Sequence, residues 1–138
     1  MTYAEIQTLV RDVKTVFLAT TDGKRAQVRP MSAYAWFDGE LWMATAARSV
    51  KARDARKCPR VEVCAMARDW SNARIEAKCR ISRAPADKKK MFAAFAWMRN
   101  FFASAAHPSW VVLRLTPTRI RAMGRDMQYR EIAPEAMR

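Results

Sequence analysis

Two Asp-Gly pairs, Asp22-Gly23 and Asp38-Gly39, constrain the fold of this chain more than any other feature of its sequence. Each pair lies between runs rich in β-branched and aromatic residues, and Asp and Gly both tolerate the positive φ angles of tight turns. A tight turn joins only antiparallel strands, so a parallel doubly wound sheet is disfavoured. Pro30, which has no N–H to donate, indicates an edge or a bulge. We predict a meander of three strands, near residues 14–21, 25–37 and 40–45.

The elements in the rest of the chain follow from capping and periodicity. Residues Thr2 to Glu5 read T-x-x-E, a capping box that begins a short helix. Residues 73–82 alternate between apolar and charged side chains, which predicts a strand with one packed and one wet face. We also predict a helix over 48–57, strands over 60–67 and 110–124, and a helix from Pro85 with a core stripe of Met91, Phe95, Met98 and Phe102. This order predicts a closed or split antiparallel β-barrel with flanking helices.

The bulk properties limit the class of protein. The 138 residues fit one domain, 1–138. We find no secretory signal and no apolar run of the roughly 18 residues that a membrane span requires, so we expect a cytoplasmic protein. Three cysteines without CxxC spacing and a single histidine offer no ligand set, so no metal is expected. The net charge of +13 favours an anionic partner, which can be nucleic acid, a membrane surface or a small phosphorylated or carboxylated molecule.

The segment TAARSVKARDARKCPRV, residues 45–61, combines hydroxyl groups with basic side chains. Thr45 ends a predicted strand, Ser49 is a plausible helix N-cap, and Arg29 on a neighbouring strand can approach them across the sheet. These are the donors that a ligand phosphate requires, but they equally fit an ordinary N-cap beside a solvated helix face. The chain lacks GxGxxG, GxxxxGK[ST] and HExxH, so no catalytic residue is assigned and a reaction would depend on a cofactor.

The order of motifs resembles the pyridoxamine 5′-phosphate oxidase-like family of FMN-binding split barrels, and most closely its small members grouped with general stress proteins. The matching pieces are a Leu-Ala-Thr strand, an Asp-Gly turn, the Val28-Arg29-Pro30 strand, a second Asp-Gly turn, an aromatic strand that ends in Thr, and a Ser-x-Lys helix. Cys58-Pro59-Arg60-Val61 follows where an Asn-Pro-x-Val pattern is common. The resemblance covers nearly the whole chain and implies a six-stranded antiparallel split β-barrel, mainly β with flanking helices.

The resemblance also implies site residues. In relatives the Val-Arg-Pro strand lies against FMN, which here implies Arg29, Met31 and Ser32. The turn that holds the FMN phosphate corresponds to Thr45, Ala46, Ser49 and Lys51. A glutamine that reaches the flavin in related oxidases is here the shorter Asn72, and Trp110 is implied on the side that faces a partner subunit. The cations from Arg53 to Arg60 are expected to form a solvated helix face.

Three hypotheses about function follow. The first is an FMN-dependent oxidoreductase that transfers a hydride to or from a small substrate, as a homodimer with the cofactor at its interface and no membrane partner. The second is a protein that binds a flavin, a deazaflavin or haem without turnover. The third is a nucleic-acid-binding barrel, which the positive charge invites but its diffuse distribution disfavours. Vitamin B6 oxidases carry a C-terminal Arg-Leu-x-Pro-type segment that Arg130, Ala133 and Pro134 match only in part, which argues for another substrate.

Overall fold

The computed structural model describes residues 1–134, which form a mainly β architecture with helices at its edges. The predicted fold class is confirmed, with eight strands in the described residues where six were expected. The strands are β1 (Val16–Thr21), β2 (Ala26–Met31), β3 (Tyr34–Phe37), β4 (Glu40–Ala46), β5 (Arg60–Met66), β6 (Asn72–Ser82), β7 (Trp110–Met123) and β8 (Tyr129–Ile132). The helices are α1 (Tyr3–Asp12), α2 (Val50–Lys57), α3 (Pro85–Ala94) and a short 3-10 helix (Ala96–Asn100).

All strand pairs in the sheet are antiparallel, in the order β2-β1-β5-β6-β7-β4-β3, with β8 added beside β7. The predicted strand over 25–37 is wrong as a single element, because it divides into β2 and β3. β2 pairs with β1 and β3 pairs with β4, at the two opposite ends of the strand order. Only Ser32 and Ala33 connect them, so the two ends of the sheet must lie side by side and the sheet is curled. A single straight strand could pair with β1 or with β4, but not with both.

Both Asp-Gly pairs form the predicted turns. In the first turn the backbone N–H groups of Lys24 and Arg25 each donate to Asp22 Oδ1 over 2.9 Å, and Gly23 has a φ of +97°. In the second turn Asp38 and Gly39 have φ angles of 50° and 79°. The left-handed conformations explain Gly23, Asp38 and Gly39, whereas Asp22 serves the first turn as a hydrogen-bond acceptor.

The helices pack on both sides of the curled sheet, α1 and α2 on the inner side and α3 with the 3-10 helix on the outer side. The capping box of α1 is confirmed, because Thr2 Oγ1 accepts from the Glu5 N–H and Glu5 Oε2 accepts from the Thr2 N–H. The predicted helix after Pro85 is shorter than expected, since α3 ends at Ala94 and Phe95 is extended. Of the predicted apolar stripe, Met91 lies in α3 and Met98 in the 3-10 helix, whereas Phe95 lies between the two helices and Phe102 follows the second. All four side chains still pack in one cluster. No helix within residues 1–134 has both the length and the apolar character needed to cross a membrane.

Two apolar clusters stabilise the fold, one on each face of β4. Leu41 and Met43 face the inner cluster with Leu18, Val63, Ile75, Leu113 and Ile120. Trp42 and Ala44 face the outer cluster with Met91, Met98, Trp110 and Val112. Both faces of β4 are covered from Leu41 to Thr45, so the strand is packed almost to the point where the chain turns into α2.

Candidate functional site

Two hydroxyl groups hold the turn that connects β4 with α2. Thr45 Oγ1 donates a hydrogen bond to Ser49 Oγ over 3.2 Å, and Ser49 Oγ accepts another from the Ala52 N–H over 3.2 Å. Ser49 is therefore the N-cap of α2, as predicted, and it satisfies one of the free N–H groups of the first helical turn. Thr45 and Ser49 thus determine where the N-terminus of α2 lies.

Arg29 belongs to a hydrogen-bonded network that joins β1, β2 and α2. Its Nη1 donates to the carbonyl oxygen of Leu18 over 3.2 Å and to Thr20 Oγ1 over 2.7 Å. Thr20 Oγ1 in turn donates to Asp54 Oδ2 over 2.8 Å. Partial burial lowers the pKa of Arg29, and the negative charge of Asp54 opposes that shift. The guanidinium is therefore fixed against the sheet while the residue stays partly exposed.

Asp54 is a residue of this network that the sequence analysis missed. It is fully buried, and its Oδ2 accepts from Thr20 and, over 3.4 Å, from Gln27 Nε2. Its Oδ1 has no hydrogen-bond partner among the described residues. The sequence contained a signal for this residue. In the predicted helix Asp54 lies three residues after Lys51, and the same side of the helix carries the apolar Ala55. An acid among buried positions is rarely there without a partner, so it indicates a polar network.

Lys51 is half-buried in the first turn of α2, on the same side as Asp54. Burial lowers the pKa of Lys51, and the positive charge of Arg29 lowers it further. Two cations therefore lie close enough to repel each other at the beginning of a helix, which is itself the positive end of the helix dipole. An anion between them would relieve both the repulsion and the cost of burial. Arg29, Lys51 and the N-terminus of α2 form what we call the phosphate corner.

The structure brings some predicted site residues to this corner and places others elsewhere. Thr45, Ser49, Lys51 and Arg29 are joined through α2 and its contacts. Met31 is buried in the inner cluster, whereas Ser32 and Ala46 are exposed. Asn72 is buried at the start of β6, where its Nδ2 donates to the Trp70 carbonyl and its Oδ1 accepts from the Tyr129 hydroxyl. Trp110 is fully buried in the outer cluster, and its Nε1 donates to the Ser104 carbonyl.

The predicted direct approach of Arg29 and Thr45 across the sheet does not occur through strand pairing. β2 lies at one end of the strand order and β4 lies next to the other end, and the two strands are not paired with each other. The two residues are instead linked by α2, which starts after Thr45 and reaches the Arg29 network at Asp54. The curl of the sheet, which the hairpin signals alone do not predict, makes this link possible.

A cavity of about 720 Å³ opens beside Ser32. Its walls are largely aromatic, and cations lie at its rim. The residues that define it are Ser32, Tyr34, Trp36, Phe95, Trp97, Arg11 and Lys14. This volume and this mixture of apolar walls with a few polar groups are typical of a pocket for a small organic molecule.

Comparisons with known proteins bear on the family and the fold. The sequence model of a family described as pyridoxamine 5′-phosphate oxidase matches residues 3–124. Among curated proteins, no sequence matches this chain. The fold is similar to that of general stress protein 26 from Bacillus anthracis, with a TM-score of 0.79 and 20% identity over 94% of this chain and 98% of that one.

Two further solved structures share the fold at low identity. One is a heme binding protein from Mycobacterium smegmatis, with a TM-score of 0.80 and 15% identity over 98% of this chain and 59% of that one. The other is described as an F420 reductase, with a TM-score of 0.65 and 17% identity over 83% of this chain and 94% of that one. At these identities the similarity concerns the fold alone, because one fold carries many functions.

Proposed function

Because this chain belongs to the pyridoxamine 5′-phosphate oxidase family, we propose that it is an FMN-dependent oxidoreductase that acts on a small substrate. The observation that carries the proposal is the phosphate corner. Arg29 and Lys51 are two partly buried cations whose pKa values are lowered by burial, and Arg29 adds to the shift at Lys51. A phosphate dianion bound there would stabilise both charges, and the N–H groups at the start of α2 would add to its binding.

The residues of the chain fit a phosphate-bearing cofactor in distinct roles. Lys51 and Arg29 bind the phosphate, and the Thr45–Ser49 pair positions the helix N-terminus toward it. Asp54 orients Arg29 through the Thr20 hydroxyl, so the guanidinium keeps one orientation before the ligand arrives. A bound flavin supplies the hydride acceptor or donor, which no side chain of this protein can provide.

The other predicted contacts are part of the same proposal. Ser32 directly follows β2, the strand that carries Arg29, and lines the aromatic cavity. Met31, the residue before it, is buried in the inner cluster. Ala46 is exposed where the chain leaves β4. Asn72 takes no part in the phosphate corner, and its contact with a flavin remains a prediction. Trp110, which was predicted on the side that faces a partner subunit, is completely buried within one chain.

We also propose that two copies of the chain associate, with the cofactor near their interface. Phe17, Val28 and Met66 lie on the outer face of β1, β2 and β5 and are 47%, 68% and 50% exposed. A patch of large apolar side chains on neighbouring strands is typical of a surface that a partner covers. The molar mass in solution, measured by light scattering, tests this: a mass near 16 kDa at micromolar concentration would contradict it.

Titration with FMN and with riboflavin, which lacks the phosphate, tests the proposed function. Wild-type protein should quench FMN fluorescence with one site per chain and bind riboflavin at least tenfold more weakly. Arg29→Ala and Lys51→Ala should each weaken FMN binding by about tenfold to a hundredfold and leave riboflavin binding nearly unchanged, because a charge-assisted hydrogen bond contributes about 1.5–3 kcal/mol. Lys24→Ala, at the exposed first hairpin turn, is the matched control. A protein that neither carries a flavin spectrum nor takes up FMN would refute the proposal.

The same samples distinguish the second candidate, a cofactor-binding protein without turnover. The heme binding protein with the same fold motivates this candidate. A Soret band in the freshly purified protein would indicate haem, and bound flavin that neither NADH nor NADPH reduces would indicate binding without catalysis. A deazaflavin would show its own absorption spectrum. Binding of a labelled oligonucleotide that falls steeply with added salt would instead favour nucleic acid.

A further inference from the structure

A second basic site lies on the opposite side of α2 from the phosphate corner. Ser49, Arg53 and Arg56 are spaced by four and three residues, so they share one face of the helix, whereas Lys51 and Asp54 lie on the other. Arg48 from the preceding turn and Arg83 from the segment after β6 complete a cleft of about 510 Å³. We call this the arginine cleft.

The four guanidinium groups of the arginine cleft have no carboxylate partner among the residues that the structure describes. No acidic residue lines the cleft, and none of its arginines forms an ion pair within residues 1–134. Arg56 is held in place because its Nη2 donates to the Ala47 carbonyl over 3.3 Å. Like charges gathered without a counter-charge repel each other, and a bound anion would remove that repulsion.

The helix itself adds to the unbalanced charge. The first turn of α2 contains no acidic residue, although acids are the residues that stabilise a helix N-terminus. The far side of the cleft is formed by the loop that contains Pro108. Lys88 Nζ donates to the His107 carbonyl over 2.6 Å, and this hydrogen bond holds the loop in place. The cleft is thus bordered by three separate segments.

The lining residues indicate the class of ligand. Guanidinium groups bind phosphate oxygens in pairs, and four of them match more than one phosphate group. None of the described residues that line the cleft is aromatic, so they offer no surface on which a nucleic-acid base could stack. The volume is that of a small-molecule site. We propose that the arginine cleft binds the diphosphate or triphosphate group of a small ligand, independently of the flavin site.

The proposal is tested by calorimetric titration with sodium tripolyphosphate at 0.15 M salt. Wild-type protein should bind about one tripolyphosphate per chain in the cleft, and the double variant Arg53→Gln/Arg83→Gln should bind it at least tenfold more weakly. Lys24→Gln/Arg25→Gln removes the same charge from an exposed turn and should change the affinity less than twofold. Thermal unfolding of all variants checks that they are folded.

Further arms separate this site from the flavin site and identify the source of the phosphate. Lys51→Ala should retain tripolyphosphate binding, and the cleft variant should retain whatever FMN affinity the wild type has, so the two proposals can fail separately. ATP that binds as tightly as tripolyphosphate would show that a nucleotide can supply the group. The proposal is overturned if the wild type does not bind tripolyphosphate, if Lys51→Ala or the turn variant abolishes binding, or if a single-stranded oligonucleotide binds more tightly and equally to wild type and cleft variant.

Discussion

The cations on strands β6 and β7 and the cations around α2 have opposite surroundings. Arg114 on β7 donates to Glu40 over 2.8 Å and to Asp87 over 3.2 Å, and Arg74 on β6 donates to Glu62 over 2.8 Å. Arg29 and Lys51 have no ion pair within residues 1–134, and neither do the arginines of the cleft. The arginines of β6 and β7 are therefore paired with carboxylates of the fold. The cations around α2 that the two proposals use have no such carboxylate within the described residues.

The largest effect is expected where a sheet cation loses its partner. Glu40→Ala removes hydrogen bonds that Glu40 accepts from Arg114 and from the Trp42 indole N–H, and it leaves Arg114 with Asp87 alone. The free energy of unfolding should fall by about 2–3 kcal/mol, because partly buried donors lose a charged acceptor. Thermal unfolding should show a Tm lower by roughly 6–10 °C. FMN affinity should not change. A parallel loss of FMN binding would contradict the distinction between the cations of β6 and β7 and the cations around α2.

An intermediate effect is expected at the buried carboxylate of the phosphate corner. Asp54→Asn keeps the size of the side chain but removes the charge that faces Arg29 through Thr20. FMN binding should weaken by about fivefold, since Arg29 loses a charge-assisted connection worth roughly 1 kcal/mol. Riboflavin binding should be unchanged, which equilibrium titration can measure. Equal losses for both ligands would mean that Asp54 supports the fold and not the orientation of Arg29.

The carboxylate that pairs with the β7 cation Arg114 should make the stability of the fold depend on pH in the acid range. Although burial acts in the opposite direction, hydrogen bonds from Arg114 and Trp42 lower the pKa of Glu40 below its ordinary value of 4.5. A depressed carboxyl pKa gives stability that is present above 4.5 and is lost as the pH falls through the folded-state pKa. Comparison of Tm between pH 7 and pH 3 should therefore show a larger loss for the wild type than for Glu40→Gln.

At Lys51 the lowered pKa affects ligand binding at alkaline pH. The pKa of this lysine lies below its ordinary 10.5 because of burial and the charge of Arg29, so its folded form releases the proton earlier than the unfolded form as the pH rises. FMN affinity should therefore begin to fall below pH 10.5. Lys51→Arg should remove this fall, because arginine keeps its charge. An unaltered alkaline limb in Lys51→Arg would contradict the assignment.

The smallest effect is expected at Lys57, an exposed cation near the end of α2 that lines neither the phosphate corner nor the arginine cleft. Lys57→Gln should leave Tm, FMN affinity and tripolyphosphate affinity unchanged within error, as is usual for a surface substitution without a defined contact. A clear loss of either affinity would show that net charge, and not the two defined sites, determines anion binding.

Much of the local structure was predictable from short stretches of sequence. The two Asp-Gly turns, the capping box at Thr2 and the N-cap at Ser49 were all found, because each depends on residues that are close in sequence. The break between β2 and β3 was not found, since no Gly or Asp pair marks it and the pairing of each half depends on a distant strand. Asp54 was missed although its position on a helix face beside alanines was visible in the sequence. Its acceptor role could not be predicted, because it depends on Thr20, 34 residues earlier in the chain.

The sequence by itself determined the antiparallel class, the family and the N-cap that begins a short helix after β4, because these follow from local backbone chemistry and the order of motifs. Only the tertiary structure decided which cations lie together. The segment from Thr45 to Val61 is one run of positive charge in the sequence. Folding places Lys51 beside Arg29, and Arg53 and Arg56 beside Arg83, on opposite sides of one helix. The physical reason is that the function of a charge depends on the counter-charges and the burial around it, and distant parts of the chain supply both.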